Sequence, residues 1–246
     1  MNLILKSLGI VIVLLAIKFA VDQTDLDLIS INPVITALVA GVIFTIAIVF
    51  TGVLADYKES EKIPGELATS VKSLYKDSIL ATINEKDVSV SISSNIKELM
   101  NVITSNFRNN VWKLREISAV TDKIDEDIMH LAQKNTPPQY VVKLRMELGN
   151  IERTVNRVET IMETSFIPLA YLISEIAIGM VILVLMLVKM EPYFEGVALL
   201  GTVSFLLISL ILLMKDMDNP FEYKKGTYAD VDMSILFKTE EYLKNK

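Results

Sequence analysis

Four long apolar runs constrain this chain more than any other feature: Leu3–Ala20, Pro33–Leu54, Phe166–Val188 and Val197–Met214. A helix needs roughly 20 residues to cross a hydrocarbon core of about 30 Å, and each run is close to or beyond that length. The first run lacks a small-residue cleavage site and is followed by a second, so it reads as a retained span rather than a signal peptide. The expected layout is transmembrane helices 1 and 2 over residues 1–54, a polar domain over 55–165, transmembrane helices 3 and 4 over 166–214, and a tail over 215–246.

Composition agrees with the runs. A chain that is 52% hydrophobic, with a mean hydropathy of +0.44, is too apolar for a soluble domain of this size, so the fold class is all-α membrane protein. A net charge of −6 argues against a nucleic-acid binder, which would carry a basic surface to neutralise phosphates. The chain has no cysteine and one histidine, His130, which excludes disulfides, thiolate chemistry and a multi-histidine zinc site. The acids Asp122, Asp125, Glu126 and Asp127 lack the glycine and spacing of an EF-hand loop. No cofactor, metal or enzyme activity is expected, because no nucleophile, base and orienting group come together in any motif.

Lysine and arginine set the expected orientation. The segment "VDQTDLDLISIN" between the first two spans holds no basic residue, whereas Lys6, the polar domain and Lys224/Lys225 do. Both termini and the polar domain are therefore assigned to the cytoplasmic side of the cell membrane. Lys189, in the turn between spans three and four, is an exception, and Lys18 is expected to snorkel. Asn32 before Pro33 reads as an N-cap followed by proline at the first helical position.

The polar domain is helical by periodicity. Apolar residues from Ile92 through Ile103, Phe107, Val111 and Leu114 to Leu131 recur at helical spacing, which predicts one helix over Val88–Lys134, about 70 Å long. Pro137 and Pro138 then turn the chain. Beyond them Val141, Leu144, Leu148, Ile151, Val155, Val158 and Met162 form a coiled-coil-like seam, for the preceding helix or for a neighbouring subunit. Gly149 lies inside this second helix. In span three, "YLISEIAIGM" sets Glu175 among apolar residues; a charge at bilayer depth is costly, so Glu175 is expected to be buried against a neighbouring helix, protonated or hydrogen-bonded to a hydroxyl such as Ser174 or Thr202, the alternative being a direct role in permeation or proton transfer.

Three stretches carry a family resemblance. "LADYKESEKIPGELATSVKSL" after span two is similar to the corresponding segment of bestrophin channels. "KDMDNPFEYKKGTYADVDMSILFK" after span four resembles the tail that follows the last bestrophin span, and still more that of the bestrophin-like domain family of membrane proteins. "IPLAYLISEIAIGMVI" looks like that family's third span. The resemblance implies a homopentameric ion channel whose pore is lined by span two and narrowed by a hydrophobic neck. Aligning "ESEKIPGEL" with its counterpart brings the stripe Val39, Ile43, Ala47 and Phe50 close to that neck, the alternative face being that of Ala40, Phe44 and Thr51. The chain lacks the acidic run of the bestrophin calcium clasp, so calcium gating is not implied.

If span two lines a pore, Asp22, Asp25 and Asp27 would form an outer acidic ring that concentrates cations; equally, they would keep the loop hydrated. The expected partners are further copies of this chain, the lipid bilayer and inorganic ions. A different function on the same layout is a proton-driven stator of the MotA and ExbB type, whose motif "LLGTV" at Leu199–Val203 superficially matches, or a non-conducting membrane scaffold or sensor.

Overall fold

The computed structural model describes residues 3–24, 29–30, 32–83, 85–134, 136–163, 168–189, 192–223 and 228–246. Its helices are α1 (Leu3–Asp22), α2 (Pro33–Ser60), α3 (Ile63–Ala81), α4 (Lys86–Asn109), α5 (Leu114–Gln133), α6 (Pro138–Glu163), α7 (Pro168–Leu187), α8 (Tyr193–Met217) and α9 (Ser234–Lys244). Two short strands, β1 (Ile29–Ser30) and β2 (Val188–Lys189), pair in parallel with Ile29 opposite Val188. The protein is thus mostly helical, and α1, α2, α7 and α8 are long and apolar enough to cross a membrane.

One compact unit spans Met1–Tyr57 and Ser165–Asp218. Here α1 packs along α8, and α7 lies beside α8. Ser7 of α1 and Ser204 of α8 are wholly buried, small side chains of the kind that let apolar helices approach closely. Ser7 Oγ donates to the Leu3 carbonyl at 3.1 Å, so its burial leaves no orphan hydroxyl. The outward faces stay apolar: Ile12, Phe44 and Leu183 are all more than half exposed, as expected for surfaces that meet lipid or other copies of the chain.

The second unit spans Lys58–Thr164 and Asn219–Lys246. Four helices, α3 to α6, form a bundle, and α9 from the tail packs on α3 and α4. The seam anticipated on α6 is real: Leu144, Leu148, Ile151, Val155 and Val158 are buried, against α3 and α5 of the same chain. Of the expected tail over 215–246, the part from Asn219 onward belongs to this unit.

The single long helix over Val88–Lys134 does not form. Helix α4 stops at Asn109 and α5 starts at Leu114, and the two pack against each other. Asn110 adopts the left-handed conformation at φ 52°, which asparagine tolerates better than most residues. The Asn110 N–H bonds to the Phe107 carbonyl and the Val111 N–H to that of Asn106, the paired bonds of a Schellman helix end. The Asn106 side-chain oxygen then accepts the Lys113 N–H at 3.0 Å. Apolar periodicity runs through the break because both helices bury the same kind of stripe; the asparagines of "SNFRNNVW" carried the stop signal. The acidic cluster on α5 disperses likewise. Asp125 pairs with Arg145, and buried Asp127 accepts hydrogen bonds from Ser91 and Asn95, while His130 is exposed.

Candidate functional site

Helix α2 begins as its sequence demands. The Asn32 side-chain oxygen accepts the N–H groups of Val34 and Ile35 at 2.9 and 3.0 Å, and Pro33 occupies the first helical position. One stripe of α2, made by Ile35, Val42, Ile46 and Val53, is buried within the chain. The expected neck stripe flanks it: Val39 and Phe50 are half-buried, while Ile43 and Ala47 are exposed. Val39 and Ile43 edge an open apolar groove of about 240 Å³ shared with Leu185 of α7 and with Leu199 and Val203 of α8. Phe44 projects from nearly the opposite side to Ile46 and is 68% exposed, beside Ala40 and Thr51. The hydroxyls of Thr45 and Thr51 bond back to the carbonyls of Gly41 and Ala47, which leaves this face without unsatisfied donors.

Charges brace the unit at two places. At the end of α1, Lys18 does not snorkel: it is 4% exposed, and its Nζ donates to the carbonyls of Met186 and Val188 at 3.0 and 2.9 Å. These carbonyls lie where α7 runs into β2, so Lys18 supplies donors and a positive charge that a helix C-terminus lacks. Asp22, one turn on, pairs with Lys18. One member of the expected acidic ring therefore has its charge compensated within the chain, and Asp25 and Asp27 lie outside the described residues.

The second brace joins α7 to α8. Glu175 pairs with Lys215, and one turn earlier the Tyr171 hydroxyl donates to Asp218 at 3.1 Å. Glu175 thus differs from its expectation. Its side chain is 42% exposed within the chain, its partner is a cation, and Ser174 donates to the Ala170 carbonyl instead. Glu175 and Lys215 are far apart in the sequence, and their pairing leaves no mark in it.

No family model matches the sequence, and no curated protein matches it. Solved structures do share the fold. A bacterial bestrophin homologue from Klebsiella pneumoniae, in a single-substitution variant, superposes with a TM-score of 0.81 at 12% identity, over 99% of this chain and 98% of that one. A second variant of that homologue gives 0.76 at 11% identity over 99% and 97%. A variant described as a membrane protein gives 0.81 at 12% over 99% and 98%. At this identity the likeness shows the fold: the chain is a membrane protein with the bestrophin fold along nearly its whole length.

Proposed function

We propose that the chain forms a homo-oligomeric ion channel in which α2 lines the pore. The observation that carries this reading is the whole-chain likeness to a bestrophin homologue, which the three sequence stretches pointed to independently. The packing of α2 supports it further. One stripe is buried within the chain, and the remaining faces are apolar and open, as a helix needs if it meets an axis on one side and neighbouring copies on others.

In such a ring the axis lies opposite the stripe packed on the helix's own subunit. That arrangement favours the face of Ala40, Phe44 and Thr51 over the expected neck of Val39, Ile43, Ala47 and Phe50, because Val39 and Ile43 turn toward α7 and α8. A constriction of Phe44 side chains would gate by dewetting. With Asp22 compensated, cation preference rests on Asp25 and Asp27. Five copies and a cytoplasmic helical domain complete the reading. For orientation, Thr24→Cys should react with an impermeant thiol reagent from outside the cell and Asn150→Cys should not; the reverse pattern overturns the topology.

The mass of the detergent-solubilised complex tests the assembly. A ring of this 27.5 kDa chain alone, near five copies, is expected. A monomer refutes the ring, and a second polypeptide held in fixed ratio favours the stator alternative.

A further inference from the structure

Within the helical unit, α3 and α6 leave a groove of about 580 Å³ between them, with Ile235 of α9 at its edge. Two cations line it, Lys62 and Arg153, together with the hydroxyls of Thr69, Ser70 and Thr154 and the amide of Asn150. The surrounding surface spends its cations on ion pairs: Lys58 with Glu61, Arg157 with Glu59, and Arg145 with Asp125. Lys62 and Arg153 differ, since among the described residues neither side chain makes a hydrogen bond or ion pair. In a chain with 30 acidic and 24 basic residues, two uncommitted cations facing one cavity leave a local excess of positive potential.

One glycine, Gly65, opens the groove. Gly65 lies in its lining, two residues inside α3, where glycine costs helix stability. Nothing in the fold requires it, because a Cβ built there meets no atom within 4 Å. Gly149, beside Asn150 on α6, is equally free of steric need. A side chain at Gly65 would occupy the groove without disturbing the bundle.

We propose that this groove binds a small polyvalent anion, with Lys62 and Arg153 as its charge partners and the Thr69 and Ser70 hydroxyls and the Asn150 amide as hydrogen-bond donors. The multiple charge follows from the two cations, which a ligand with two or more charged oxygens engages together and a single-centred monovalent ion does not; Glu66 also lines the groove and weakens its attraction for any anion. The site is independent of conduction, so it stands or falls apart from the proposed channel.

The test is calorimetric titration of the purified full-length protein with inorganic pyrophosphate at fixed ionic strength, with chloride as the monovalent control. Saturable pyrophosphate binding is expected, and none for chloride. Arg153→Gln and Lys62→Gln should each weaken it at least tenfold, Glu66→Gln should strengthen it several-fold, and Gly65→Leu should abolish it with oligomer mass and helicity unchanged. Absence of saturable binding overturns the proposal, and so does binding indifferent to these substitutions. So would an Arg153→Gln variant that changes oligomer mass, since the groove would then be a contact between copies.

Discussion

Asn110 holds the backbone of Tyr223 at both of its polar groups: its Nδ2 donates to the Tyr223 carbonyl at 3.0 Å, and its Oδ1 accepts the Tyr223 N–H. The residue that ends α4 thus also anchors the segment leading to α9. Around it Phe107 packs on Trp112 and Phe221, with ring centroids 4.9 and 5.8 Å apart. Asn110→Gly should keep the left-handed turn and lose the anchor. Hydrogen exchange should accelerate at Phe221–Tyr223 while the α4 core stays protected, at a cost of about 1–3 kcal/mol. Unchanged exchange in this segment would show that the aromatic cluster alone holds the tail.

Helix α9 is held by a charge. Glu240, 4% exposed at its side chain, pairs with Arg108 and Lys244, and the Arg108 guanidinium also lies 4.6 Å from the Phe237 ring centroid. Burial pushes the Glu240 carboxyl up, but the two cations outweigh it and hold it below its ordinary value of 4.5. A group lowered on folding adds stability that is complete above its unfolded value and lost as pH falls through the folded one. Acidification below about 4.5 should therefore release α9. Circular dichroism and limited proteolysis of the tail would record this, and Glu240→Gln should blunt the acid-dependent part. An acid transition unaltered by Glu240→Gln would place the sensitivity elsewhere.

The Lys18 brace makes a double-variant prediction. Lys18→Met strands Asp22 and two carbonyls in a buried place and should cost on the order of 3 kcal/mol. The combined Lys18→Met, Asp22→Leu variant should recover part of that loss, because the uncompensated charge is gone. Thermal unfolding in detergent measures both, and equal losses in the two variants would mean that the ion pair is not the operative contact.

Glu175 and Lys215 should behave as a structural pair. Glu175→Gln should lower stability by about 1 kcal/mol and leave flux per assembled complex unchanged. Loss of flux from an intact, stable Glu175→Gln assembly would instead make Glu175 part of the permeation path.

The four apolar helices, the N-cap of α2 and the α6 seam were legible in the sequence because each depends on residues close in the chain. The motifs "ESEKIPGEL" and "DNPFEY" carried the likeness to bestrophins before any fold was known. What escaped depends on distance. The stop at Asn110 was hidden beneath continuous apolar spacing, and the partners of Lys18 and Glu175 lie on other helices. The buried stripe Ile35, Val42, Ile46 and Val53 emerged only once α2 had neighbours, and it is the ground for proposing Phe44 rather than Ile43 at the axis.

The central claim is that this chain alone conducts ions through a path lined by α2. Liposomes containing the purified oligomer, loaded with potassium and assayed for efflux, test it most directly when wild type and Phe44→Ala are compared. The account predicts flux above that of empty liposomes and a clear increase for Phe44→Ala, with little change for Ile43→Ala. An increase for Ile43→Ala and Phe50→Ala but not Phe44→Ala would return the neck to the stripe first read from the sequence, and intact oligomers that pass no ion in any variant would contradict the channel itself.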